Sequence, residues 1–475
     1  MQRLRHVIAG HCDARHVAVV RVLTMVVWLH ELVRMGPFVR LYYDPPVGSA
    51  GAWYAGWVVA TLAVLVGYRA RAFAAAGLVV TFVLVTLDHV IYHVDYYVLL
   101  TFFYFTFIET DRAWSLRAYL ARRRGAPLAP RVWSGPVHAM ASHLAFIYLN
   151  AGLAHVLYNA SWREGYALAQ AFANPIWRSP AGEFVGRLGL PTWPLDYGTM
   201  AFELAFAPLW IWAMLRPPAV RIRTALGALA IAFHVGIAWF LDIGAFSHFV
   251  IATACVFLPS SLFFGDAAPP AAPDPELTRG RRAILAGLGA VVALAAVVQP
   301  PLDLLGRRVK AVGAAYRAGV TALSRLGDQR PHDVFSEPAT ESVYYVVTSF
   351  HGGGRREVWP LLYDEQGERV GYGTDMRMFM SARRPLRSIG QRVLDGQGAP
   401  DRHVAQLLGL VEPLLRADLE LSRNAWVRSV RVEFRGHRLG RSSGDPFVAG
   451  PAGAPLSCFE VARAPAVILS GTACR

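Results

Sequence analysis

An all-α polytopic membrane bundle of about nine transmembrane helices, followed by a soluble α+β C-terminal domain, is the fold class this sequence predicts. Three observations predict it. Of 475 residues, 54% are hydrophobic and only 17% charged, too apolar a balance for a soluble chain of this size. The apolar residues gather in runs of about 17 or more, the length that crosses a bilayer. Beyond about residue 306 those runs give way to short alternating segments.

The candidate spans lie at 17–35, 53–68, 73–91, 94–110, 137–158, 199–215, 224–241, 244–264 and 283–301. The first has no small-residue cleavage site behind it and is expected to be a retained anchor. The expected divisions are a bundle at 1–265, a Pro/Ala-rich cytoplasmic linker at 266–282, a last helix at 283–301 and an extracytoplasmic α+β domain at 302–475. In that domain SVYYVVTSF and RSVRVEF read as strands, and GRREVWPLLYDEQGERVGYG as a hairpin turning at Gln366 and Gly367. Residues 403–421 keep a 3.6-residue apolar period and read as a helix.

The formal net charge is +14, and of 47 basic residues only Lys310 is a lysine. That arginine bias points to a GC-rich bacterial genome. It calls for no nucleic-acid partner, because arginine concentrates in short cytoplasmic loops. With the N-terminus inside, eighteen arginines between Arg3 and Arg282 fall in cytoplasmic segments, against five in the opposite loops (Arg34, Arg40, Arg163, Arg178 and Arg187). The excess sets the N-terminus inside, and nine spans then carry the tail out of the cytoplasm. The expected location is a bacterial inner membrane, with the lipid bilayer as partner. Cys458 and Cys474 lie close together in the tail, where an oxidising compartment permits a disulfide. Cys12 and Cys255 have no partner spacing, and no CxxC or Cys/His zinc pattern is present.

Phe146 opens the most informative stretch, FIYLNAGLAHVLYNASWREGY. In helical register Tyr148, Ala151, His155, Asn159 and Trp162 fall three or four apart and share one face. An imidazole, an amide and an indole are costly against lipid and point into a bundle or a wet cavity. Any one of them serves equally as interhelical glue; the set points to a site.

The N-in orientation gathers other ionisable groups at the same, outer depth. His30 and Glu31 end the first span; His89, His93 and Asp95 surround the turn between the third and fourth; Glu203 opens the sixth; Asp242 and His248 sit between the seventh and eighth. His234 lies near mid-depth. His30 and His248 read best as interface anchors. The rest are expected to line a polar cavity that opens towards the C-terminal domain. His89 and His93, four apart, also have the spacing of half a metal or haem site, but the sequence supplies no further ligands.

Three stretches carry a family resemblance. LLTFFYFTFIETDRAWSLRAYL (99–120) has an acidic, aromatic helix end running into Trp114 and Ser115. FIYLNAGLAHVLYNASWREGYAL (146–168) has a Y-x-x-A-G…W-x-x-G-Y pattern, and FHVGIAWFLDIGAFSHFVIATACVFLP (233–259) an F-H…I-G-x-F-S helix pair. With them the chain resembles the HTTM (horizontally transferred transmembrane) family, the family of vitamin K-dependent gamma-glutamyl carboxylase, over about residues 13–264. The tail resembles it only loosely, through DQRPHDVFSEP.

The resemblance implies a quinol- and oxygen-dependent reaction. In the carboxylase a lysine deprotonates reduced vitamin K, oxygen converts it into a strong base, a glutamate γ-proton is removed and the carbanion captures carbon dioxide. This chain has His155 where the family has that lysine, and no membrane lysine replaces it. Imidazole near pKa 6.5 taking a proton from a phenol near 10 is uphill by about 3.5 units, roughly 5 kcal/mol. Stabilisation of the phenolate by the site would offset that cost.

The resemblance thus implies a membrane lyase or carboxylase with His155 as candidate base, His234 as a second catalytic candidate, and reduced vitamin K or another quinol as cofactor. His89, His93, Tyr148, Asn159, Trp162 and Glu203 would bind the quinol, with Trp162 and Gly165 shaping the mouth, and a secreted peptide or protein would be the substrate. Two rival readings stand beside it: a non-catalytic factor for peptide maturation or export, and a histidine-based metal or haem redox protein.

Overall fold

The computed structural model describes residues 9–36, 48–87, 93–173, 178–216, 220–264, 278–293, 341–351, 356–358, 427–438, 457–462 and 468–469. A helix stands at every candidate span: α1 (Ala14–Met35), α2 (Ala50–Val66), α3 (Ala70–Leu87), α4 (His93–Phe105), α6 (Ser134–Tyr158), α10 (Trp193–Met214), α11 (Val220–Phe240), α12 (Phe246–Ala254) and α14 (Arg279–Ala293). Short helices connect them: α5 (Leu116–Arg123), α7 (Ala160–Arg163), α8 (Ala167–Ala173), α9 (Pro180–Arg187) and α13 (Ser260–Phe264).

Three helices, Ala14–Met35, Ser134–Leu157 and Val220–Phe240, are long and apolar enough to cross a membrane; Ala50–Val66, Ala70–Leu84, Val94–Phe105 and Phe246–Phe257 are apolar but shorter. At 1.5 Å per residue α1 reaches about 33 Å, against a hydrocarbon core of about 30 Å, whereas α2 reaches about 25 Å. The helices are apolar on their outward faces too: Val33, Val59 and Trp239 are 56–68% exposed. Apolar all round is the signature of helices that lie in lipid. The chain is a mostly helical, membrane-embedded protein.

Large aromatics fill the bundle. Trp28 of α1 packs on Trp57 of α2 with ring centroids 4.9 Å apart, and Phe257 sits 4.9 Å from Phe206 and 5.0 Å from Trp210 of α10. Polar side chains bond across helices, as they must away from water. Tyr104 of α4 meets His143 Nδ1 of α6 at 3.0 Å, and Trp210 donates its indole N–H to Ser142 at 3.3 Å. A two-stranded clip, β1 (His11–Asp13) with β2 (Arg131–Trp133), ties the start of α1 to the start of α6.

The Trp114–Ser115 stretch folds around a buried arginine. Arg21, fully buried on α1, donates to the carbonyls of Thr110 and Trp114, each at 2.5 Å. Trp114 takes φ 44°, a left-handed conformation uncommon outside glycine, which turns the chain so that its carbonyl faces Arg21. Ser115 caps α5 by accepting from Ala118 N at 2.9 Å, and Asp111 accepts from Ala70 N at 3.2 Å while pairing with Arg117 at 2.8 Å. Gly67, at φ 68°, leaves room for all this: a Cβ there would lie 2.4 Å from Ser115 Cβ and 2.7 Å from Arg21 Nη1.

In the tail, β3 (Glu341–His351), β4 (Arg356–Val358), β5 (Val427–Arg438), β6 (Ser457–Ala462) and β7 (Ile468–Leu469) form one antiparallel sheet in the order β4-β3-β5-β6-β7. The two strands read from SVYYVVTSF and RSVRVEF are β3 and β5. Within the first arm of the expected hairpin β4 pairs antiparallel with β3, Phe350 opposite Arg356; the turn expected at Gln366 and Gly367 lies outside the described residues. The helix at 403–421, most of the linker at 266–282 and Cys474 also lie outside the described residues; Cys458 is in β6.

Candidate functional site

Gly152 brings the site together. A Cβ on it would lie 2.9 Å from Glu203 Cβ and 3.1 Å from the backbone nitrogen of Leu204. Only glycine lets α6 and α10 approach so closely. Three residues further along α6, His155 faces Glu203, its Nδ1 3.9 Å from Oε2. Both residues are buried, at 4% and 6% exposure.

The shared helical face expected for Tyr148 to Trp162 is interrupted. Helix α6 stops at Tyr158, and Asn159 takes extended angles (φ −107°, ψ 105°) before the one-turn α7 begins. Asparagine favours such breaks because its side chain competes with the helix for backbone groups. The turn carries Trp162 back over the site, where its indole stands edge-to-face on His155 with centroids 4.1 Å apart. Trp162 is buried, at 4% exposure. Gly165 (φ 74°) ends this turn, and a Cβ there would lie 2.7 Å from Trp193 Cβ.

Hydrogen bonding separates glue from site. Tyr148 and His234 join α6 to α11 through a 3.0 Å bond between the hydroxyl and Nε2, inside an aromatic shell of Phe202, Phe206 and Phe233. By contrast, neither ring nitrogen of His155, neither side-chain polar atom of Asn159, nor Oε2 of Glu203 has a hydrogen-bond partner among the described residues. Buried polar atoms are rarely left so. His155, Trp162 and Glu203 therefore form one buried cluster. His155, Glu203 and Asn159, the last close by in sequence, have side-chain polar atoms to spare among the described residues, and Tyr148 and His234 form a bonded pair whose Tyr148 lies along α6 from the cluster.

The other expected groups divide. His30 and His248 are exposed, as befits interface anchors. Glu31 and Asp95 are buried, and Asp242 is half-buried and accepts from Gly244 N at 3.4 Å. His89 lies outside the described residues, and His93 opens α4. Among the described residues no three His, Cys, Asp or Glu side chains converge as metal ligands.

Sequence reading passed over Asp196. Fully buried, it accepts from Leu168 N at 2.9 Å and from the Thr192 hydroxyl at 3.1 Å, pinning the segment after Gly165 to the first turn of α10. The available signal was an acidic residue two places after Pro194, in a helix first turn. Gly152 was likewise quoted in the motif without a role.

Among protein families, the HTTM domain matches residues 37–261, a range that encloses all three motif stretches. No curated protein and no solved structure matches the chain.

Proposed function

We propose, from the HTTM domain matched over residues 37–261 and the general likeness of that family to vitamin K-dependent carboxylase, that the chain is a quinol- and oxygen-dependent membrane enzyme of carboxylase or lyase type with His155 as its general base. One observation carries this reading. His155, at the position of the family lysine, is buried with both ring nitrogens unbonded and with a carboxyl group and an indole against it.

The residues fit such a cofactor. A reduced quinone presents hydroxyl groups on a flat ring; His155 and Asn159 offer the unbonded acceptors and donors, and Trp162 offers an aromatic wall. When bound, the quinol would supply the oxygen chemistry that imidazole cannot. The chain's own part is acid–base and electrostatic. His155 accepts a proton at one ring nitrogen, and Glu203 beside Nδ1 orients the ring and stabilises the imidazolium that forms. Asn159 hydrogen-bonds the developing negative charge. Burial of His155 and Glu203, with Trp162 against the imidazole, excludes water and strengthens each of these interactions.

The substrate in this reading is a secreted peptide or protein, met on the extracytoplasmic side of a bacterial inner membrane, with the N-terminus cytoplasmic and the tail outside. A non-catalytic role in peptide maturation or export is favoured by one fact, the histidine in place of the family lysine. Assays of oxygen-dependent quinol epoxidation decide between them. Under the enzyme reading His155→Ala abolishes turnover without loss of fold and His155→Lys keeps or raises it. Absence of turnover in wild type and His155→Lys with every quinol tried leaves the non-catalytic role. Mass spectrometry of the purified protein for a bound quinone provides an independent readout.

A further inference from the structure

The segment between the His155 cluster and α10 has an apolar side that the bundle does not cover. Helix α9 is fixed along one face to the end of α11. Ser179 donates its backbone N–H to Phe240 O at 3.1 Å and its hydroxyl to Trp239 O at 2.5 Å. Gly182 sits so close that a Cβ would lie 2.2 Å from Phe240 O, and Val185 packs on Phe172 and Leu241. Away from that face Phe184, Leu188, Leu190, Trp193, Leu195 and Tyr197 are 43–63% exposed. Isolated exposed apolar residues need no explanation, but six within fourteen positions do.

We propose that residues 180–197 lie in the membrane–water interface, with the lipid bilayer itself as their partner. The patch is continuous with the exposed apolar surface of α11, a helix long and apolar enough to cross a membrane, because α9 docks on its last turn, where Trp239 is 68% and Val235 47% exposed. Its make-up is that of interfacial helices: bulky apolar residues away from the docked side, Trp and Tyr near its end, and Arg187 reaching out to pair with Glu183. The placement bears on the site. Trp193 and Tyr197 close over Gly165, and Tyr197 donates to Arg163 O at 3.0 Å, one residue from Trp162 and two from Gly165. The rim of the His155 cluster thus sits at headgroup level, where a lipid-soluble ligand arrives by lateral diffusion.

The experiment uses full-length protein in phosphatidylcholine–phosphatidylglycerol liposomes, a bilayer-partitioning aryl diazirine, and peptide mapping by mass spectrometry. Labelling of residues 179–197 is expected to approach that of α11 and to exceed that of the exposed loop 125–131 by about fivefold or more. Phe184→Asn with Leu188→Asn should lower labelling in this segment alone, with α11 as internal control for folding. Labelling at the level of the 125–131 loop, or shielding of the segment by a second copy revealed as inter-chain cross-links, overturns the proposal. Neither outcome depends on whether His155 is catalytic.

Discussion

His155 Nδ1 and Glu203 Oε2 stand 3.9 Å apart, too far for a hydrogen bond and close enough that a small rotation of either side chain makes one. The two groups come from different helices and are both buried. If Glu203 orients His155, Glu203→Gln should keep ligand binding and lower turnover by about 10- to 100-fold, since an amide hydrogen-bonds but cannot balance an imidazolium. The check is a comparison of kcat and KM for Glu203→Gln and Glu203→Ala. A purely structural Glu203 would instead lower thermal stability and leave the kinetics of the folded fraction unchanged.

Gly152 is expected to be intolerant of any side chain. Gly152→Ala places a methyl 3.1 Å from the Leu204 backbone nitrogen, which cannot rotate away. Overpacking of this kind costs about 1–3 kcal/mol. Gly198→Ala, in α10 with nothing within 4 Å of a new Cβ, should be neutral or stabilising. Thermal unfolding of both variants in detergent tests the contrast, and equal midpoints would refute the close-approach role.

Arg21 should be irreplaceable by lysine. Its guanidinium reaches the Thr110 and Trp114 carbonyls with two nitrogens, a fork that a single ammonium cannot reproduce. Arg21→Lys is therefore expected to destabilise by about 1–3 kcal/mol through an unsatisfied buried carbonyl. A melting temperature equal to wild type would show that water serves those carbonyls as well.

Acid should weaken the start of α1. Burial raises the Asp13 carboxyl, but hydrogen bonds and charge from Arg15 outweigh it and hold Asp13 below the usual aspartate range. A carboxyl held low in the folded state contributes stability above its unfolded pKa and loses it as pH falls through the folded value. Asp13 also caps α1 by accepting from Arg15 N at 2.8 Å, so Asp13→Ala should cost about 1 kcal/mol at neutral pH. The difference between wild type and Asp13→Ala should shrink below about pH 4, read from melting curves across pH.

Orientation is tested by reporter fusions. In the orientation expected from the arginine distribution Arg124 is cytoplasmic and Arg475 outside, so alkaline phosphatase should be inactive after the first and active after the second. An inactive fusion after Arg475 would mean that the number of crossings is even.

By itself the sequence determined where the helices are, because long apolar runs can do little else in lipid than satisfy their own backbone. It also determined which residues merit suspicion: His155, Asn159, Trp162 and Glu203 were legible as polar groups in apolar stretches. Periodicity could not reveal the break at Asn159, since the 3.6-residue rule carries a face straight through a residue that leaves the helix. Only the tertiary structure decided which polar groups are spent on one another. Tyr148 and His234 bond across helices, while the side chains of His155 and Asn159 have no hydrogen-bond partner among the described residues, a distinction that depends on distances of a few ångströms between helices far apart in the chain. The same holds for Gly152, Arg21 and Asp196. Each acts through a partner 28 to 93 residues away, and no local pattern encodes a packing distance.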